Sequence, residues 1–126
     1  MDVKFEIPGR WPSLNEYIDH CKIKRNRWNA GNSMKRRDQA KLVRLINTQK
    51  RKIKPPVYIE YRFFCGDRRR DLDNVSGYFH KIFQDALVDA GVIPDDSWRY
   101  VVGFSDSFAL DPGHDHVVVR VREVGE

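Results

Sequence analysis

One run of residues, 55–91, leaves this chain few ways to fold. Val57, Ile59, Tyr61 and Phe63 alternate with Tyr58, Glu60, Arg62 and Phe64, which is the two-residue period of a strand over Val57–Cys65. Pro55-Pro56 forces an extended entry into it. After an arginine-rich loop, Gly66–Arg70, the period changes. Val75, Phe79, Ile82, Phe83, Ala86, Leu87 and Ala90 recur at three- and four-residue spacing, and Gly91 stands where a C′ glycine belongs. A strand feeding a one-sided helix has to find a sheet on which to lay that helix.

The rest of the chain supplies the other elements. Val3–Ile7 reads as a strand stopped by Pro8-Gly9, and Ser13 with Glu16 is a capping box that starts a helix at Leu14. Asn29–Ser33 reads as a break, followed by a helix over Met34–Lys50 with Leu42, Val43, Leu45 and Ile46 as its apolar stripe. The central helix is expected over Asn74–Ala90, with the chain returning as a strand from near Val92. Trp98–Phe104 and Val117–Val124 read as further strands, separated by a polar loop, Ser105–Asp115. With 126 residues there is material for one core and not two, so 1–126 is expected to be a single α/β (α+β) domain.

Charge divides the chain. Residues 1–54 carry 15 Lys and Arg against 5 Asp and Glu, whereas residues 55–126 carry 8 against 13. A basic half can release counterions from a polyanion, and an acidic half can hold a cation. The plainer reading of Lys22–Lys54 is a solvated helical face. No apolar run is long enough to span a bilayer, and the N-terminus has no signal-peptide pattern. With Cys21 and Cys65 far apart, these features predict a cytoplasmic protein with no membrane association.

The chemistry points to Asp67–Asp96. Asp71 and Asp73 fall two residues apart; in extended chain they would share a face while Leu72 enters the core. Two carboxylates on one face suit a hard cation such as Mg²⁺. Asp73 or Asn74 occupies the expected N-cap. If the return strand crosses the sheet, Asp95 or Asp96 comes back beside Asp71 and Asp73, although Pro94-Asp95-Asp96-Ser97 on its own reads as a turn. Lys81, near the edge of the apolar stripe, either snorkels to solvent or reaches the same centre. Asn15, at a helix start, either caps it or faces a ligand. Arg68, Arg69 and Arg70, with Lys35, Arg36 and Arg37, are candidates for gripping phosphates. His114 and His116, next to Asp115, are a candidate metal set whose plainer reading is surface residues, and Trp11, Trp28 and Trp98 either stack on exposed bases or, more plainly, pack in the core or an interface.

Asp71-Leu-Asp-Asn, then Asp85-Ala-Leu, then Ala90-Gly-Val-Ile-Pro-Asp-Asp96 resembles the RusA family of Holliday junction resolvases of bacteria and their phages. Ile7-Pro-Gly-Arg-Trp-Pro-Ser-Leu-Asn15 is similar to that family's N-terminal motif, and Trp98-Arg-Tyr-Val-Val-Gly-Phe-Ser-Asp to phage-type members, so the likeness covers almost the whole chain. It implies a small homodimer with a mixed β-sheet and helices packed on it. It further implies a bacterial cytoplasmic, phage- or prophage-encoded enzyme that binds four-way DNA junctions and uses Mg²⁺ or Mn²⁺. By position, Asp71, Asp73 and Asp96 become metal ligands, Asp95 an accessory and Lys81 the catalytic lysine. Ten residues, Val75–Gln84, separate the first two motifs, more than in the best-known members; placing the extra turn later would put Gly77 at the lysine position.

The expected function is therefore resolution of four-way junctions by paired phosphodiester hydrolysis in recombination and repair, with no organic cofactor. The alternatives are a broader branched-DNA or flap nuclease, and a non-catalytic DNA-binding module whose acids balance its basic half.

Overall fold

The computed structural model describes residues 1–25 and 27–125. Nine elements follow one another: β1 (Asp2–Pro8), α1 (Leu14–Cys21), β2 (Lys24–Arg25), β3 (Trp28–Asn29), α2 (Ala30–Gln49), β4 (Val57–Cys65), α3 (Leu72–Asp89), β5 (Val101–Leu110) and β6 (His116–Glu123). The main sheet has the order β1-β6-β4-β5, antiparallel except for the parallel β4–β5 pair, and β2 and β3 form a separate small hairpin. This is the small α+β domain with a mixed sheet and three helices that the periodicities require.

Alternation along the strands decides which face of the sheet is covered. Val3, Phe5 and Ile7 of β1, Val57, Ile59, Tyr61 and Phe63 of β4, and Val117, Val119 and Val121 of β6 are all buried. They meet Val75, Phe79, Ile82, Phe83, Ala86 and Leu87 of α3 and Leu42 and Ile46 of α2 in one core. Intervening side chains such as Arg62 and Arg120 lie on the open face. The β4–α3–β5 unit is the organising piece: a parallel pair needs a crossover, and α3 is that crossover.

Three boundaries differ from the sequence expectation. α2 starts at Ala30, not Met34, because Asn29 caps it by accepting from the Asn32 backbone N–H. The helix then runs through Gly31, where a side chain would collide with Sγ of Cys21 on α1. α3 starts at Leu72, two residues early, and Leu72 is 55% exposed instead of entering the core. β5 starts at Val101, well after Val92, and continues through the polar Ser105-Asp106-Ser107 to Leu110. An edge strand with one neighbour tolerates such residues, which is why they read as loop. Trp11 packs edge-on against Phe79, but Trp98 is 92% exposed and Trp28 half exposed, so those two are not core residues. Among the described residues no helix is long and apolar enough to cross a membrane.

Candidate functional site

The N-terminal end of α3 gathers several of the candidate residues. Asp71 is the N-cap residue: its backbone carbonyl accepts from the Asn74 and Val75 N–H groups, while its carboxylate makes no capping bond. Asp73 lies in the first turn, where the helix dipole favours negative charge. Both are exposed. Asn15, at the start of α1, donates its backbone N–H to Oδ1 of Asn74 at 2.8 Å, so two helix N-termini sit side by side. The cap is therefore Asp71, and neither Asp73 nor Asn74 plays that part. Asp71 and Asp73 do not share a strand face as expected, because only Asp71 is extended and Asp73 already lies in the helix. What replaces that shared face is a pair of exposed carboxylates at one helix start, neither used up by the fold.

The three consecutive arginines divide. Arg68 and Arg69 are exposed, and the Arg69 N–H donates to Oδ1 of Asp67, shaping the loop. Arg70 points inward: its Nη1 donates to the Trp11 carbonyl at 2.9 Å and its Nη2 lies 3.9 Å from Asp115. Burial, followed by the nearby Arg10, lowers its pKa from the ordinary arginine value. Arg70 is thus a strut that holds the loop before α3 against the β5–β6 turn, leaving Arg68 and Arg69 as the loop's outward cations.

Asp95 and Asp96 are elsewhere. Gly91 takes a left-handed φ of 76°, the Val92 N–H returns to the Leu87 carbonyl, and Pro94–Ser97 turns toward Tyr100. Only there does the chain rejoin the sheet, where the Val57 N–H donates to the Tyr100 carbonyl at the start of β4. Asp71, by contrast, follows the end of β4. Most of the 18-residue α3, from Asp73 in its first turn to its end at Asp89, lies between the two acid pairs, and the whole helix is about 27 Å long at 1.5 Å per residue. The return strand expected to bring Asp95 or Asp96 beside Asp71 and Asp73 starts after those acids, not before them. Within one chain the four carboxylates form two separate pairs at opposite ends of α3.

Lys81 is also outside the Asp71–Asp73 cluster. It sits ten residues along α3 with its Nζ 3.9 Å from Asp85, which Lys35 of α2 approaches at 3.3 Å. Arg37 is held 3.4 Å from the buried Asp38. Lys35 and Arg36 line an open groove of about 760 Å³ along α2, together with Asn32, Gln39 and Arg44. The basic groove is thus a helix-layer surface, away from the open face of the sheet.

The structure defines two groupings that the sequence left unassigned: Asp38 was not singled out, and the acid that joins His114 and His116 is Asp111 instead of the adjacent Asp115. Asp38 is 2% exposed and accepts a hydrogen bond from the Tyr78 hydroxyl, a pairing that only the packing of α2 on α3 creates. Asp111, His114 and His116 form a group whose donor atoms all lie within 4.8 Å of one another; among the described residues it is the group with metal-ligand geometry. The signal was present as Asp-x-x-His-x-His. Asp115, the acid adjacent to both histidines, instead accepts from the Gly66 N–H and faces Arg70.

Neither a scan against protein-family models nor a comparison with curated proteins returns a match to this chain.

Proposed function

We propose that this chain is a metal-dependent endodeoxyribonuclease that cuts four-way DNA junctions as a two-fold dimer. The observation that carries this reading is the pair of exposed carboxylates at the start of α3, with Asp71 at the N-cap yet not capping. Solvent-facing oxygen donors fit Mg²⁺, which keeps several waters and takes one or two protein carboxylates. Mn²⁺ accepts the same donor set. Bound there, the ion would supply Lewis-acid stabilisation of a phosphodiester oxygen. Asp71 and Asp73 would hold it. Asn15 and the helix N-terminus would offer N–H donors to a phosphate, with Arg68 and Arg69 adding charge from the loop. Lys35 and Arg36 would bind backbone phosphates along the α2 groove.

The same geometry supports completion of the site by a second copy. β5 pairs with β4 alone among the described strands and leaves a ten-residue edge open. An exposed edge of that length is a template for pairing with another chain. Antiparallel β5–β5 pairing across a two-fold axis would set the Asp95–Asp96 end of one protomer toward the Asp71–Asp73 end of its partner. Each dimer then carries two related sites, as two symmetric nicks in a four-way junction require.

The direct test is Asp73→Asn: that protein should bind a synthetic junction with near-normal affinity and fail to cut it in Mg²⁺. Normal cutting by it would remove the carboxylate site. Equal cutting of flaps and junctions would favour a broader branched-DNA nuclease. Metal-independent binding with no cutting by the unaltered protein would leave a DNA-binding module.

A further inference from the structure

We infer that the turn between β5 and β6 is a binding site for one first-row transition-metal dication of the Zn²⁺ class, formed by Asp111, His114 and His116. The site is distinct from the carboxylates at the start of α3 and does not depend on the nuclease reading.

The turn is built to hold these three side chains together. Asp111 anchors one end by donating its backbone N–H to the Cys65 carbonyl at 2.8 Å. Pro112 and Gly113 follow, and the His114 N–H closes the turn on the Asp111 carbonyl at 3.0 Å. Gly113 has a φ of 74°. Proline then glycine with positive φ is the pattern of a type II turn, which folds residue four back over residue one. His114 Nδ1 consequently lies 3.1 Å from Oδ2 of Asp111. Asp115 fixes the far side, its carbonyl accepting from Gly9 and its carboxylate from Gly66.

His116 is positioned from three directions. Its ring stacks on Phe64 at 4.2 Å, and on His114 at 4.1 Å. Its Nδ1 lies 3.0 Å from the His114 carbonyl. A carbonyl can only accept, so in the neutral ring Nδ1 is the donating nitrogen and the Nε2 lone pair is left for an ion. A ring nitrogen held by a backbone carbonyl while the other is free is the usual arrangement of a metal-bound histidine. His116 Nδ1 is also 4.0 Å from the Asp111 carboxylate, which therefore faces both rings.

Two imidazoles and one carboxylate select the ion. Mg²⁺ and Ca²⁺ prefer oxygen donors, whereas imidazole suits Zn²⁺, Ni²⁺, Co²⁺ and Cu²⁺. Ligands around a tetrahedral ion with bonds of about 2.0 Å stand roughly 3.3 Å apart, so small side-chain rotations close the observed group around one ion. Three protein ligands leave a fourth position for water. Through Asp115, the same turn touches Gly66 and Arg70, so an ion here would stiffen the loop that precedes α3.

The test uses the full chain after chelator treatment and dialysis. Titration with Zn²⁺ followed by calorimetry should give one site per chain, and Co²⁺ should give visible d–d bands without thiolate charge transfer. His114 is 67% exposed at its side chain, so His114→Ala changes a surface group and should fold normally. That variant and Asp111→Asn should each weaken Zn²⁺ binding at least tenfold, and His116→Gln should do the same while keeping a ring-sized side chain. His20→Ala, on α1 and outside the group, should bind like the unaltered chain. Zn²⁺ affinity unchanged in the His114→Ala/Asp111→Asn protein overturns the site, as do thiolate bands in the Co²⁺ spectrum or no binding by the unaltered chain.

Discussion

The Tyr78 hydroxyl donates to Oδ2 of Asp38 at 2.9 Å, and both residues are 2% exposed. This bond joins α3 to α2 inside the apolar layer, where no other side chain of α3 donates to α2 at comparable depth among the described residues. A buried carboxylate that loses such a donor keeps the full cost of its desolvation. Tyr78→Phe should therefore lower stability by about 1.5–3 kcal/mol, read from urea midpoints at constant slope.

The same tyrosine sets a limit at high pH. Burial, then the charge of Asp38 and the hydrogen bond to it, raises the Tyr78 pKa above its ordinary value of 10.0. Burial also raises Tyr61, against a smaller opposing effect of the Gln84 hydrogen bond. Above pH 10 the unfolded chain releases these protons while the folded chain retains them. Stability is thus fully present below pH 10 and declines as pH rises beyond it. Melting temperatures between pH 9 and 11.5 should fall, and Tyr78→Phe should make the fall shallower. A flat profile would contradict the buried, protonated state of both groups.

Gly31 marks a close approach of α1 and α2. A Cβ there would stand 3.1 Å from Cα of Cys21 and closer still to its Sγ. Alanine is the better helix former, so propensity alone predicts stabilisation. Overpacking against backbone outweighs it, and Gly31→Ala should cost about 1–3 kcal/mol. A more stable Gly31→Ala protein would show that α1 slides away without penalty.

The position of Lys81 separates family analogy from geometry. Its Nζ faces Asp85 on an exposed flank, 62% accessible at the side chain. Lys81→Ala should change junction cleavage by less than tenfold, whereas Asp71→Asn and Asp73→Asn should each lower it by about 100-fold or more. Single-turnover cleavage at saturating Mg²⁺ makes the comparison. A Lys81→Ala loss as deep as that of Asp73→Asn would restore the lysine to the reacting centre.

Complementation tests the shared site. Asp73→Asn and Asp96→Asn proteins should each be inactive alone. Mixed and allowed to exchange, the proposed dimers would include heterodimers in which one site has both carboxylates and the other has neither. Such mixtures should nick one strand of a junction and rarely cut both. No recovery on mixing, with exchange verified by differently tagged chains, would refute a site built from two copies. Val102→Lys, which puts a charge on the open β5 edge, should shift sedimentation toward monomer.

Most of the fold was legible in the order of residues. The alternation of Val57–Phe63 and the three-four spacing of Val75–Ala90 settle β4 and α3, because burial on one face imposes those periods whatever surrounds them. The capping box at Ser13 and Glu16 forms as its spacing dictates, each side chain satisfying the other's backbone. Local chemistry of that kind needs no distant partner. Three features depended on distant contacts: the length of β5, whose polar middle is held by its β4 neighbour and by His80 of α3, 2.7 Å from Asp106; the division of Arg70 from Arg68 and Arg69; and the separation of Asp71 and Asp73 from Asp95 and Asp96. Sequence shows how many residues lie between two acids but not which way the chain runs between them. A straight helix of 18 residues spends that length in one direction, so acids that flank it cannot meet unless the chain returns or a second copy supplies the other end. Here the chain returns too late, at Val101, whereas the Asp111–His116 cluster is closed by its own turn and so was written in the local spacing Asp-x-x-His-x-His.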